Sequence, residues 1–300
     1  MNVSLRLLRA FVAVSQEGHV GRAAARLFIS QPSLSQDIRR LEREIGVVLF
    51  DRGPRGLTPT PAGEALLRSV EGALAMFDQG VANAREIAAS GRGTIRVAYS
   101  PSLANIFMPS LLSLLERVLT AADIEEHELD TGAVGPAISV GAYDVGFAHC
   151  PTSDPRLVVA HIADEPLCVA VATGHPLAGR PSVRLSELSG SSLLIWPRAS
   201  APDYYDMILD ICSEADVGLR GVKESRRITP RTYLLDDQQT FSLLPRSAAS
   251  LPRPEVTFLP IEESRWTLPL TLICRAGDNR RELDQIRISA EQVGRAISAW

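Results

Sequence analysis

Lysine is almost missing from this chain. Lys223 is the only one among 300 residues, so arginine carries the rest of the positive charge. Cysteine is sparse too: Cys150, Cys168, Cys212 and Cys274 lie far apart, which excludes a paired-cysteine zinc motif and a disulfide framework. No apolar run reaches the roughly eighteen residues that a membrane span requires. The apolar start is broken by Arg6 and Arg9 and has no small-residue cleavage pattern. These absences predict a cytoplasmic protein without a membrane segment. His19, His127, His149, His161 and His175 show no metal-ligand spacing such as H-E-x-x-H. There is no G-x-S-x-G elbow, and Ser189-Gly190-Ser191-Ser192 does not supply one. Gly132-Ala133-Val134-Gly135 lacks the third glycine and the strand setting of a dinucleotide site, and no phosphate-binding loop is present. His149 and Cys150 are adjacent and cannot pair as base and nucleophile without a wider setting. The expectation is no enzyme, no metal and no cofactor.

What is present is divided unevenly. Overall charge is −4, yet residues 1–60 hold nine arginines against five acidic residues, leaving the other 240 at −8. A basic head on an acidic body suits a nucleic-acid module joined to a second folded region. Hydrophobic content of 45% is ample for cores, and the length suggests two or three folding units.

Within that head, Val20, Ala23, Ala24 and Leu27 follow the i, i+3, i+4, i+7 pattern of one helix. Ser30 is placed as the N-cap of a second helix, with Pro32 in its first turn, where a missing N–H costs little. Leu34, Ile38, Leu41 and Ile45 form the apolar stripe of that helix. At about 100° per residue, its opposite face carries Pro32, Gln36, Arg39, Arg40 and Arg43, flanked by Ser33 and Ser35. Two short helices and a basic loop lay one helix across a DNA major groove. Side chains of this kind can read base edges and grip phosphates.

Residue identity adds to periodicity. The stretch 5–63 resembles the N-terminal domain of LysR-type transcriptional regulators at Leu8, Phe11, Ala23, Ala24, Leu27, Ser30, Gln31, Ser35, Ile38, Leu41, Glu42, Gly46, Leu49, Phe50, Arg52, Thr60, Ala62 and Gly63. Two departures are visible: Gly21, where a hydroxyl residue is common, and Pro59, where leucine is usual. The expected fold is α/β overall, with an N-terminal all-α winged helix-turn-helix over 1–60, a linker helix over 61–92 and a periplasmic-binding-protein-like domain over 93–300. Gln31, Ser33, Gln36 and Arg39 are the candidates for base contact. Arg52 and Arg55 in the wing, with Ser35 or Arg40, are the candidates for phosphate contact, and Pro32 completes the face.

From Pro61 the chain changes character. Thr60 can cap a helix whose first position is Pro61. Leu66, Val70, Ala73, Phe77, Val81, Ala84 and Ala88 then recur at spacings of four and three, until Ser90-Gly91-Arg92-Gly93 stops the pattern. So long a stripe must be buried against something, either the rest of the chain or a second copy. The resemblance implies a dimer through this helix, with Leu66, Val70, Ala73, Phe77, Val81 and Ala84 at its seam. It further implies a dimer of dimers on a partly palindromic double-stranded DNA operator, with RNA polymerase responding to the DNA bend.

Beyond Gly93, strand-like runs at 94–98, 124–129, 145–148, 157–161, 167–172, 192–195, 241–244, 256–259 and 268–274 alternate with helical ones at 104–119, 202–215 and 280–298. The alternation predicts mainly parallel sheets. The resemblance implies two α/β subdomains, about 93–163 with 266–300, and 164–265, with a small-molecule effector in the cleft at the strand ends. Candidate effector contacts are Ser100 and Ser102 before a helix, Thr131 at the start of a second short helix, and Phe147 on a strand. Trp196, Pro197, Arg198 and Tyr204 are the candidates on the opposite wall. Ordinary capping residues have the same pattern, and Arg198 could equally pair with an acidic neighbour. The segment 196–212 is similar to that of the subgroup responding to aromatic acids or chloro-substituted muconates, which implies an organic acid. Asp236-Asp237-Gln238-Gln239-Thr240 stands where the family carries small residues, and would repolarise one side of the cleft. Arg226 and Arg227 would suit a doubly charged acid. The other class consistent with the chain is a solute-binding module whose head serves only assembly.

Overall fold

The computed structural model describes residues 3–53, 56–90, 92–120, 122–150, 153–225, 238–250 and 254–298. The chain forms two compact units, Met1–Arg85 with Val140–Ala142, and Glu86–Ser139 with Tyr143–Trp300. Arg55, Gly91, Arg226, Arg227, Asp236 and Asp237, singled out above, lie outside the described residues.

The first unit opens with a helix that periodicity alone did not mark. α1, Leu5–Glu17, buries Leu7, Ala10, Phe11, Ala13 and Val14 and stops at Gly18, whose φ of 62° lets its N–H reach Val14 O at 2.9 Å. α2, Val20–Arg26, is capped by the His19 ring, which accepts the Gly21 N–H at 3.0 Å, so the missing hydroxyl at position 21 is replaced from the residue two before it. α3, Gln31–Ile45, starts as its sequence dictates: Ser30 accepts the Ser33 N–H, Pro32 sits in the first turn, and Leu34, Ile38 and Leu41 turn inward. Phe11 stacks obliquely on Phe50 at 5.4 Å in the shared core. Each such side chain contributes about 1.5–3 kcal/mol by burial. The basic loop contains an antiparallel hairpin, β1 Phe50–Gly53 and β2 Gly56–Pro59, in which Pro59 occupies the strand's last position and disrupts no inner pairing. Thr60 caps α4, Pro61–Ser90, by accepting the Gly63 N–H at 3.0 Å. A side chain at Gly63 would come within 2.2 Å of Leu49 O, so the hairpin and helix can meet only over glycine.

The second unit holds one mixed sheet, ordered β4-β3-β5-β11-β6-β9-β7-β8, with β10 also paired to β6. The strands are β3 Gly93–Tyr99, β4 Ala122–Glu128, β5 Val145–His149, β6 Leu157–Ala172, β7 Ser192–Ile195, β8 Gly221–Glu224, β9 Thr240–Pro245, β10 Val256–Pro260 and β11 Thr267–Arg275. The helices are α5 Phe107–Val118, α6 Val134–Ser139, α7 Pro202–Glu214 and α8 Arg281–Ser298. The expectation of mainly parallel pairing is corrected: β3·β4, β3·β5, β7·β8 and β7·β9 are parallel, but every pair that includes β6 or β11 is antiparallel. The physical reason lies in β6. The expected strands 157–161 and 167–172 are one strand of 16 residues, because Asp164-Glu165-Pro166, which looks like a breaker, stays in register with Pro269, Leu268 and Thr267. Its first part pairs with β11 and its last part with β9 and β10. One core surrounds Phe107, Leu111, Phe147 and Ile286; the other surrounds Val169, Leu193, Ile208 and Phe241.

Candidate functional site

Two sites emerge, one in each unit. In the first, α3 presents Gln31, Pro32, Gln36, Arg39, Arg40 and Arg43 to solvent, with Ser33 and Ser35 half-exposed. Four of the head's other arginines pair within the first unit. Arg6 pairs with Asp37 at 2.9 Å and also donates to the Ser33 hydroxyl at 3.2 Å. Arg9 pairs with Asp78, and Arg22 and Arg26 pair with Glu17 at 3.5 and 3.3 Å. Arg39 and Arg40 make no ion pair among the described residues, so their charge faces outward. Glu42 holds the end of the reading helix to the hairpin, since its carboxylate accepts the Leu49 N–H at 2.9 Å. Gly46, at φ 78°, closes α3 through its N–H to Glu42 O at 2.8 Å. The result is a rigid helix face with free hydrogen-bonding groups and positive charge, which is what base edges and phosphates require.

Along α4 the apolar stripe is shared. Val70 is buried and Leu66 half-buried against the head's own core, while Ala73, Phe77 and Ala84 are exposed and Val81 is half-buried. Phe77 leaves 45% of its surface open, and Met76 44%.

In the second unit a cavity of about 190 Å³ lies beyond the C-terminal ends of β3, β5, β7 and β9. Ser100, Ser102, Thr131, Trp196 and Tyr204, all expected from the sequence, line it. Three expected contacts do not. Phe147 is wholly buried and packs on Phe107 at 5.1 Å. Pro197 is absent from the lining, and Arg198 is exposed, held by Asp206 through two hydrogen bonds of 2.8 Å. Thr131 belongs to a turn, because α6 starts only at Val134, after Gly132 takes a φ of 89°. Sequence reasoning missed Asn105, which follows the two serines, and His149, which stood out only as the neighbour of Cys150. It also missed Pro101, Leu244, Pro245, Ala248 and Phe258, apolar residues without any local signal.

The polar side of the cavity is ordered. Ser102 Oγ lies 2.9 Å from His149 Nδ1, and His149 Nε2 lies 2.8 Å from a carboxylate oxygen of Glu165. Glu165 is fully buried and also accepts the Ser247 N–H at 2.8 Å. Burial works to raise its pKa, but the His149 and Ser247 hydrogen bonds outweigh that and hold the carboxyl below its usual range. Tyr204 donates to Leu243 O at 3.2 Å, and burial raises its phenol. Burial likewise pushes the Cys150 thiol up to about 12, so it is no nucleophile. No group of three or more His, Cys, Asp or Glu side chains among the described residues could hold a metal ion.

A helix-turn-helix reading face in one unit and a cavity at strand ends in the other define a DNA-binding protein with a small-molecule-binding domain. Residues 5–64 match the helix-turn-helix of bacterial regulatory proteins of the lysR family, and residues 88–286 match the LysR substrate binding domain. The chain belongs to the LysR family of DNA-binding transcriptional regulators, in which control by an effector is typical. It is 31% identical to the HTH-type transcriptional regulator BudR of Raoultella terrigena, over 93% of this chain and 97% of that one. The crystal structure of full-length BenM is 28% identical, with a TM-score of 0.57 over 98% of this chain and 97% of that one. Full-length CbnR complexed with its target DNA, 24% identical, shares the fold with a TM-score of 0.76 over 97% and 100% of the two chains. These relatives are transcriptional regulators and not enzymes. Among the described residues, no helix is long and apolar enough to cross a membrane.

Proposed function

We propose that α3 enters the major groove with Gln31, Ser33, Gln36 and Arg39 at base edges, while Ser35, Arg40, Arg52 and Arg55 hold phosphates and Pro32 fixes the first turn. The outward face of α3 carries this reading: Gln31, Gln36, Arg39 and Arg40 present amide groups and positive charge to solvent. Ser33 keeps its hydroxyl hydrogen for a base while Arg6 occupies a lone pair. Two heads on a dimer read half-sites about one helical turn, or a multiple, apart. Phe77 and its exposed neighbours on α4 supply the dimer seam, and a dimer of dimers bends the operator before RNA polymerase, in the cytoplasm. The effector is an organic acid held at Ser100, Ser102, Thr131, Trp196 and Tyr204 between two subdomains, about 93–163 with 266–300 and 164–265. It acts by preferring one assembly shape, since equal affinity for both would shift nothing.

Arg39→Ala tests the DNA half. If Arg39 reads a guanine, the substitution weakens operator binding by about 1–3 kcal/mol and relaxes specificity at one position. Unchanged discrimination between operator and random DNA would reassign Arg39 to a phosphate or to bare surface. Phe77→Asp is expected to leave monomers in sedimentation, and intact oligomers would move the seam elsewhere.

A further inference from the structure

The polar wall of the cavity is one hydrogen-bonded chain with a fixed end. Ser100 Oγ lies 3.2 Å from Ser102 Oγ, and the chain continues through His149 to Glu165. An ionised Glu165 only accepts, so His149 donates from Nε2. One degree of freedom remains, at Nδ1. If Nδ1 is bare, it accepts the Ser102 hydroxyl, and Ser102 has no hydrogen to offer the cavity. If Nδ1 is protonated, it donates to Ser102, Ser102 can donate onward to Ser100, and one hydroxyl hydrogen at the end of the chain is released toward a ligand. The direction of the chain therefore decides whether this wall accepts or donates.

A second observation says which direction a ligand selects. Trp196 lines the same cavity, and its buried indole N–H has no partner among the described residues. That donor requires an acceptor. Among the described residues, no arginine or lysine lines the cavity. A carboxylate would satisfy the indole and the released hydroxyl, and its charge would need an offset close by. Near the dyad, Cys150 and Cys168 are pushed up to about 12 and Tyr204 is also raised, so all three stay neutral. Asp203 acts on Cys150 from α7, and Arg246, exposed after β9, acts on Cys168. Glu165 is the ionised group in direct contact with His149.

We propose that the effector is a monocarboxylate that enters together with one proton, taken from solvent onto His149 Nδ1, and that the Ser102–His149–Glu165 chain is the specificity device of the cavity. The dyad passes from net −1 to neutral as one negative charge arrives, so total charge in the cavity is unchanged. Among the described lining residues, a second carboxylate would have no such offset. This rests on the organic-acid reading above and narrows it.

Isothermal titration of the full chain with benzoate, in paired buffers of different ionisation enthalpy, counts the protons. Benzyl alcohol serves as the neutral analogue. The expected result is benzoate binding accompanied by net uptake of about one proton. Benzoate binding without uptake, or benzyl alcohol binding while benzoate does not, would overturn the inference and leave the cavity as a ligand site. Binding of neither compound would sink the organic-acid reading together with it. His149→Gln is expected to abolish proton uptake and weaken benzoate at least about tenfold. Undiminished uptake in that variant would place the proton elsewhere and refute the assignment.

Discussion

The reading face of α3 and the polar wall of the cavity are both built largely from small hydroxyl residues and nitrogen donors, yet they solve opposite problems. The α3 face is exposed, drawn from fifteen consecutive residues, and keeps cations such as Arg39 and Arg40 without an ion pair among the described residues. The cavity wall is largely buried, drawn from the ends of β3, β5, β7 and β9 and from the β6 strand behind them, and among the described residues has no Arg or Lys in its lining. A charged surface ligand such as a phosphate backbone can be met by open arginines, because water screens what is not used. A small ligand in a closed site cannot, because every buried charge and donor must be matched. Arginine on the exposed helix and a histidine–glutamate chain in the cavity are two answers set by solvent access.

That contrast can be broken from the head first. Phe11→Ala removes a fully buried ring from the core behind α3, at an expected cost of about 3–5 kcal/mol. Circular dichroism should show an early melting step and DNA binding should fail, while ligand binding in the cavity persists. A single unchanged transition would mean that α3 does not depend on this core. A smaller change sharpens the local part of the claim. Ser30→Ala deletes the cap of α3 and should lower the head's stability by about 1 kcal/mol, and no loss in urea titration would show that Pro32 alone sets the helix start. The smallest effect belongs to the second unit. Burial holds His175 below its ordinary range, so the unfolded chain binds the proton first as pH falls. The stability from neutral His175 is full above the unfolded value of about 6.5 and is lost as pH falls toward and through the folded value. His175→Gln should flatten the slope of stability between about pH 5 and 7, whereas an unaltered slope would assign it to other groups.

The same contrast explains what could be read in advance. The α3 face was legible because a helix repeats locally: Ser30, Pro32, Leu34, Ile38 and Leu41 fix both its start and its orientation. The engagement of Ser33 by Arg6 was not, because Arg6 comes from another helix. In the second unit β7 matched its expected bounds, since Ser192–Ile195 is a buried run with clear ends. β8, Gly221–Glu224, was missed because it is short, partly exposed and defined only by pairing with β7. Serines before a helix pointed to the cavity, and an aromatic after a strand pointed to its far wall. His149 and Glu165 did not, because their meaning lies in a 2.8 Å contact across sixteen residues of chain. For Arg198 the alternative of an acidic partner was the one realised: Asp206, eight residues further along on α7, takes it out of the site.

The most direct test of the central claim is fluorescence-anisotropy titration of the full chain onto DNA from its own upstream region and onto random DNA, at several salt concentrations. The account predicts preference for the upstream fragment, with log K falling steeply and linearly against log salt as arginine–phosphate contacts are lost. Equal, weak binding to both fragments, with little dependence on salt, would contradict a sequence-reading role for the outward face of α3.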